Sequence, residues 1–141
     1  MKRRLVVGMT GASGAIYAVR LLEVLSAAGI DVHLIITSAA QEVLQQELDL
    51  SVDLDDFQVS SLLLGDGMDS SDSKLNLMRQ QAGISTADSN VLAFDVGEPG
   101  HIYYHHHQDY LAPIASGSFL TDGMVICPCS SGSLAAIVNS L

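Results

Sequence analysis

Gly8-Met9-Thr10-Gly11-Ala12-Ser13-Gly14 stands between two apolar segments, and its reading decides the fold. Ahead of it, Leu5, Val6 and Val7 form a short, mostly β-branched run that reads as a buried strand. Behind it, Ile16, Val19, Leu21, Leu22 and Leu25 recur at helical spacing. A strand, a tight glycine turn and a helix leave free backbone N–H groups at a helix N-terminus. That end carries partial positive charge and suits phosphate or another anion. Ser13 adds a hydroxyl to the same turn.

The spacing also excludes. A P-loop needs a Lys directly after its last glycine, but Ala15 follows Gly14, so nucleoside triphosphate hydrolysis is not expected. The glycines run G-x-x-G-x-x-G rather than G-x-G-x-x-G. The second apolar run, Val32 to Ile36, ends in Thr37 and Ser38 instead of the acid that binds a dinucleotide ribose. Hydroxyls there suit a ribityl chain or a flavin edge better.

With 141 residues and 48% hydrophobic composition, the chain reads as one domain, 1–141, with a sizeable core. No apolar run approaches the roughly 20 residues that span a bilayer. Lys2, Arg3 and Arg4 lead directly into strand and glycines, so no signal peptide and no membrane role are expected. A net charge of −10 argues against a nucleic-acid partner. Cys127 and Cys129 flank Pro128 in a C-x-C spacing that reads as reduced thiols, which fits the cytoplasm.

Taken in order, 3–9 is a strand and 13–28 a helix, with Gly29 at the place of a helix-ending glycine. Asp31 to Ile36 is the second strand. A second helix runs from about Ser38, a plausible N-cap, to about Glu47, with Ala39, Ala40, Val43 and Leu44 on one face. This is a βαβ pattern and predicts a mostly parallel, helix-covered sheet. Seven aspartates then fall between Asp49 and Asp72, and 50–95 reads as a polar excursion with short helical pieces at Phe57 to Leu64 and at 74–82. Residues 101–107 are a predicted strand. Of its three consecutive histidines only His105 and His107 would share a side, with no further ligand at metal-site spacing.

After the small-residue loop Ala115 to Phe119, Met124 to Cys127 forms a short strand, and Pro128 to Ile137 repeats the strand, polar turn and helix transition. Ser130, Ser131 and Ser133, with the N–H groups around Gly132, are set to wrap an oxyanion, although one serine would serve as N-cap regardless. Two such turns at the carboxyl ends of parallel strands open on the edge where α/β sheets bind ligands.

V-V-G-M-T-G-A-S-G-A-I-Y-A-V-R-L-L, A-S-G-S-F-L-T-D-G-M-V-I-C-P-C-S and S-G-S-L-A-A-I together resemble the UbiX-type flavin prenyltransferases, long labelled phenylacrylic acid or 3-octaprenyl-4-hydroxybenzoate decarboxylases. The resemblance covers about 1–48 and 108–141. It implies a flavodoxin-like (Rossmann-like) three-layer α/β fold that binds FMN between subunits of a homo-oligomer, typically a dodecamer. The implied reaction joins the dimethylallyl group of dimethylallyl phosphate to reduced FMN and closes a fourth ring, without a metal. The product serves a UbiD-type decarboxylase in ubiquinone biosynthesis and aromatic acid decarboxylation.

By position, the resemblance assigns Gly11, Ala12 and Ser13 to the first FMN-binding loop, Thr37 to a flavin contact, and Ser130, Ser131, Gly132 and Ser133 to the second FMN-binding turn. It places Ser13 near the leaving phosphate and gives Glu47 an acid–base role, where the residues alone read Glu47 as surface. It also implies roughly a third more chain, carrying an FMN-binding arginine, the groups that hold the allylic phosphate and a second glutamate. The chain thus reads as the N-terminal part of the family domain, and after Arg79 it has no Lys or Arg at all. Two alternatives stand beside this reading. One is an FMN-dependent cysteine decarboxylase-like flavoprotein, disfavoured by P-C-S-S-G-S where those relatives carry a P-A-S-A-N-T-like turn; the other is a non-catalytic flavin-binding module.

Overall fold

The computed structural model describes residues 2–63 and 98–141. Strand β1 (Arg4–Met9) leads to helix α1 (Ala15–Ala27), and strand β2 (Asp31–Ile36) to helix α2 (Ser38–Leu48). Strands β3 (Ile102–His106) and β4 (Gly123–Ile126) follow, and helix α3 (Ser131–Val138) comes after β4. The strands form one sheet in the order β3-β2-β1-β4, with every pairing parallel. From β1 the chain steps outward through β2 to β3, then returns to the other side of β1. This reversal between β1 and β4 makes a topological switch point of a flavodoxin-like, doubly wound α/β fold.

The core explains the pattern of residues. Val7, Met9, Val32, Leu34 and Ile36 alternate onto one face of the sheet, where α1 presents Ile16, Val19, Leu22 and Leu25. Helix α2 adds Ala40, Leu44 and Leu48, one stripe at a spacing of four. Val43 packs at its margin, but Ala39, expected on the same face, is exposed. Helix α1 ends in a Schellman motif: Gly29 (φ 74°) donates to the Ser26 carbonyl, and Ile30 to that of Leu25, both at 3.0 Å.

The polar excursion is more ordered at its start than its composition implies. Leu50, Val52, Leu54 and Leu62 are buried in the core. The Val52 carbonyl accepts from Gln41 Nε2 at 2.7 Å, and the Leu54 carbonyl from the Tyr104 hydroxyl at 2.8 Å. The signal was the alternation L-x-V-x-L, which puts three apolar side chains on one side of an extended chain, with Ser51 and Asp53 between them turned outward. The helical piece expected at Phe57 to Leu64 is a single 3₁₀ turn, Val59–Ser61, and the one expected at 74–82 lies outside the described residues. Among the described residues, no helix is long and apolar enough to cross a membrane.

The far side of the sheet differs. Strand β4 and helix α3 keep Met124, Val125, Leu134, Ile137 and Val138 exposed.

Candidate functional site

The register decides where the functional loops meet. Met9 lies level with Ile36, Ile36 with His106, and Gly8 with Ile126. The Thr10–Gly14 loop, Thr37 and the Cys127–Ser130 turn therefore leave the sheet at one edge, and the two glycine- and hydroxyl-bearing loops flank the switch point.

In the first loop, Gly14 is the N-cap of α1 at φ 105° and offers no side chain to cap it. Glu47, from the last turn of α2, fills that role. Its carboxylate accepts the Gly14 and Ala15 N–H groups, each at 3.1 Å to Oε2, and a hydrogen bond from the Ser13 hydroxyl. Burial pushes the Glu47 carboxyl up, but the Ser13 hydroxyl and the two backbone donors together outweigh burial and hold it below its usual value. Ser13 and Glu47, 34 positions apart in the chain, are thus brought into contact, and Glu47 is half-buried rather than a surface residue. The anion at the start of α1 is the chain's own carboxylate. The N–H groups of Gly11, Ala12 and Ser13 have no partner among the described residues.

Gly11 lies directly against Ala39 in the first turn of α2, where a β-carbon would collide with the alanine methyl. That close approach is what a side chain at position 11 would destroy. Gly14→Ala is expected to destabilise the chain by about 1 kcal/mol, because a β-carbon disfavours positive φ; urea unfolding of the two chains measures it.

Thr37, rather than Ser38, is the N-cap of α2: its Oγ1 accepts the Ala40 N–H at 3.1 Å. The expected flavin-contacting hydroxyl is therefore committed as an acceptor, and its O–H proton is still available to donate.

The second turn is ordered by its serines. Ser130 caps α3, accepting the Ser133 N–H at 3.2 Å and donating to Ser133 Oγ at 2.9 Å. Ser131 and Gly132 are exposed, and their N–H groups have no partner among the described residues. A β-carbon on Gly132 would meet only open space. Free N–H groups, small residues and hydroxyls on both loops fit a ligand that bears a phosphate and a polar chain. Among the described residues, the lysines and arginines are Lys2, Arg3, Arg4 and Arg20. None lies in either loop, and Arg20 is paired with Glu23 at 3.2 Å. Among the described residues, what these loops offer an anion is backbone dipoles and hydroxyls.

One residue that sequence reasoning passed over joins the two loops. The Thr10 hydroxyl accepts the Ser130 N–H at 2.8 Å and donates to the Pro128 carbonyl at 2.7 Å. Its signal was faint: a lone hydroxyl directly after the last strand residue.

The histidines scatter to separate partners. His105 lies 2.9 Å from buried His33, His106 pairs with Asp55 at 3.3 Å, and His107, past the strand end, meets Ser38 at 3.3 Å. Burial lowers the pKa of both His33 and His105, which disfavours a charge on the close pair. Among the described residues no group of three or more potential ligands is placed to hold a metal ion. Cys127 and Cys129 are free thiols, and burial raises the pKa of Cys127.

Residues 1–141 match the family model described as Flavoprotein. The chain belongs to the flavoprotein family. This flavoprotein is 34% identical, over 133 residues, to the flavin prenyltransferase UbiX of Halalkalibacterium halodurans, covering 94% of the chain and 49% of that protein. It is 36% identical, over 139 residues, to the flavin prenyltransferase UbiX of Escherichia coli, covering 98% of the chain and 51% of the relative. The fold matches the crystal structure of AnUbiX (PadA1) in complex with FMN and dimethylallyl pyrophosphate with a TM-score of 0.61 and 28% identity, over 99% of the chain and 52% of that structure. A dodecameric FMN-dependent UbiX-like decarboxylase from Escherichia coli matches with a TM-score of 0.55 and 27% identity, over 95% of the chain and 51% of that structure. The similarity to UbiX proteins expected from the motifs thus extends over nearly the whole chain. The chain spans about half the length of the curated relatives it matches.

Proposed function

We propose that this flavoprotein binds FMN at the β1–β4 switch point and acts in transferring the dimethylallyl group of dimethylallyl phosphate to reduced FMN. The product, prenylated FMN, goes to a UbiD-type decarboxylase, and the setting is a cytoplasmic homo-oligomer. The observation that carries the reading is the pair of loops at one sheet edge, each with hydroxyls and with N–H groups that have no partner among the described residues. The similarity to UbiX proteins, one of them solved with FMN and dimethylallyl pyrophosphate, supports the choice of ligands.

In this reading FMN supplies the nucleophilic ring that accepts the allyl group. The chain's residues bind and move protons. The N–H groups of Ser131 and Gly132, with the hydroxyl of Ser133, would hold the FMN phosphate, and Gly11, Ala12 and Thr37 would border the flavin and its ribityl chain. Ser13, which donates to Glu47, would also be in place to face the allylic phosphate, and Glu47, whose carboxyl is held below its usual value, would be the group that accepts a proton. While three donors hold Glu47 it is a weak base; a phosphate that competes for the Ser13 hydroxyl raises its basicity. The cations that an allylic phosphate needs come from residues outside the described set or from neighbouring subunits.

Anaerobic incubation of the chain with FMN, a reductant and dimethylallyl phosphate, followed by mass spectrometry of the extracted flavin, tests the proposal. A flavin heavier by one five-carbon unit is the expected result. Bound but unmodified FMN would reduce the function to flavin binding, and absence of bound flavin would remove it.

A further inference from the structure

Strand pairing between β1 and β4 ends at Gly8 and Ile126, with one more bond from the Cys127 N–H to the Gly8 carbonyl at 2.9 Å. Beyond that point, every hydrogen bond between the two loops among the described residues runs through Thr10. Its N–H donates to the Pro128 carbonyl at 3.2 Å, its hydroxyl donates to the same oxygen at 2.7 Å, and its Oγ1 accepts the Ser130 N–H at 2.8 Å. Thr10 is 9% exposed, and its bonds to the half-buried Pro128 and Ser130 are partly shielded from water.

The consequence passes along the second turn. With its N–H held by Thr10, Ser130 is oriented so that its own hydroxyl caps α3 by accepting the Ser133 N–H. That cap uses the third N–H of the helix, and those of Ser131 and Gly132 have no partner among the described residues. The Thr10 side chain thus adds two bonds to the backbone ties between the loops, one of them to the N–H of the residue that caps α3.

We propose that Thr10 is the positioning residue of the phosphate site: its hydroxyl pre-organises the Pro128–Ser133 turn for the FMN phosphate before the ligand arrives. This rests on the FMN reading above. A turn held ready by 2.7 and 2.8 Å bonds does not have to be ordered by the ligand, so less affinity is lost to ordering. Valine has the shape of threonine but neither bond, while serine keeps both bonds without the methyl group.

The test uses the 141-residue chain as wild type, Thr10→Val and Thr10→Ser, with FMN affinity measured by fluorescence quenching and amide exchange measured without ligand. In the wild type, the Ser130 amide is expected to exchange more slowly than those of Ser131 and Gly132. Thr10→Val is expected to lose that protection and to weaken FMN binding about tenfold, while Thr10→Ser stays within about twofold of wild type. Unchanged FMN affinity in Thr10→Val would overturn the proposal, and so would lost affinity with the Ser130 amide still protected. Equal exchange of the three amides in the wild type would overturn it even if the valine variant does not fold. A wild-type chain that binds no FMN but protects Ser130 would refute the FMN reading and the ligand role of Thr10, leaving Thr10 as a loop tie only.

Discussion

Glu47→Ala is expected to lower the unfolding free energy at pH 7 by about 2 kcal/mol, because three donors lose an ionised acceptor at a helix start. The Gly14 and Ala15 N–H groups are orphan donors of α1, and the Ser13 hydroxyl points to the same carboxylate. The effect depends on pH with a defined sign. The ordinary carboxyl value is 4.5, and the folded value lies below it, so between the two the unfolded chain binds more protons. Stability from Glu47 is fully present above the ordinary value and is lost as pH falls through the folded one. The gap between wild type and Glu47→Ala in urea melts is therefore wide at pH 7 and closes at strongly acid pH. Glu47→Gln keeps the shape without the charge and should fall between the two at pH 7. A gap that is the same at both pH values would show that the carboxylate charge contributes nothing.

Leu34→Ala is expected to cost about 3 kcal/mol, and Val125→Ala less than about 1 kcal/mol, although both residues lie in short apolar strands of the same parallel sheet. Leu34 is fully buried between β1, β3 and the two helices, so truncation leaves a cavity that rigid neighbours cannot fill. Val125 is 38% exposed on β4, where solvent takes the place of the lost methyl groups. Thermal melts should place Leu34→Ala roughly 10 °C below wild type and Val125→Ala within a few degrees of it. Similar melting points for the two variants would mean that β4 is as enclosed as β2.

Much of this was legible in the sequence because it is local. Leu5 to Val7, the glycine loop and the Ile16 to Leu25 periodicity define a strand, a turn and a helix from neighbours alone, and Asp31 to Ile36 and Ser38 to Leu48 repeat the pattern. Hydroxyls after parallel strands, at Thr37 and Ser130 to Ser133, were legible for the same reason, and the strand register puts them at one sheet edge. The βαβ pattern sufficed to expect a parallel, helix-covered sheet.

What the sequence could not contain is which distant groups answer one another. Glu47 as the cap of α1, Thr10 as the tie to Pro128 and Ser130, and Leu50, Val52 and Leu54 as core rather than excursion each depend on partners 32 or more positions away, or on an extended segment lying along a helix. The placement of β4 beside β1 belongs to the same class, since only long-range pairing creates the switch point and brings the two loops together. Local pattern determined the pieces, because helix and strand periodicity are written in adjacent residues. The assembled sheet decided the site, because orphan backbone donors take whichever buried or half-buried acceptor the packing brings within reach.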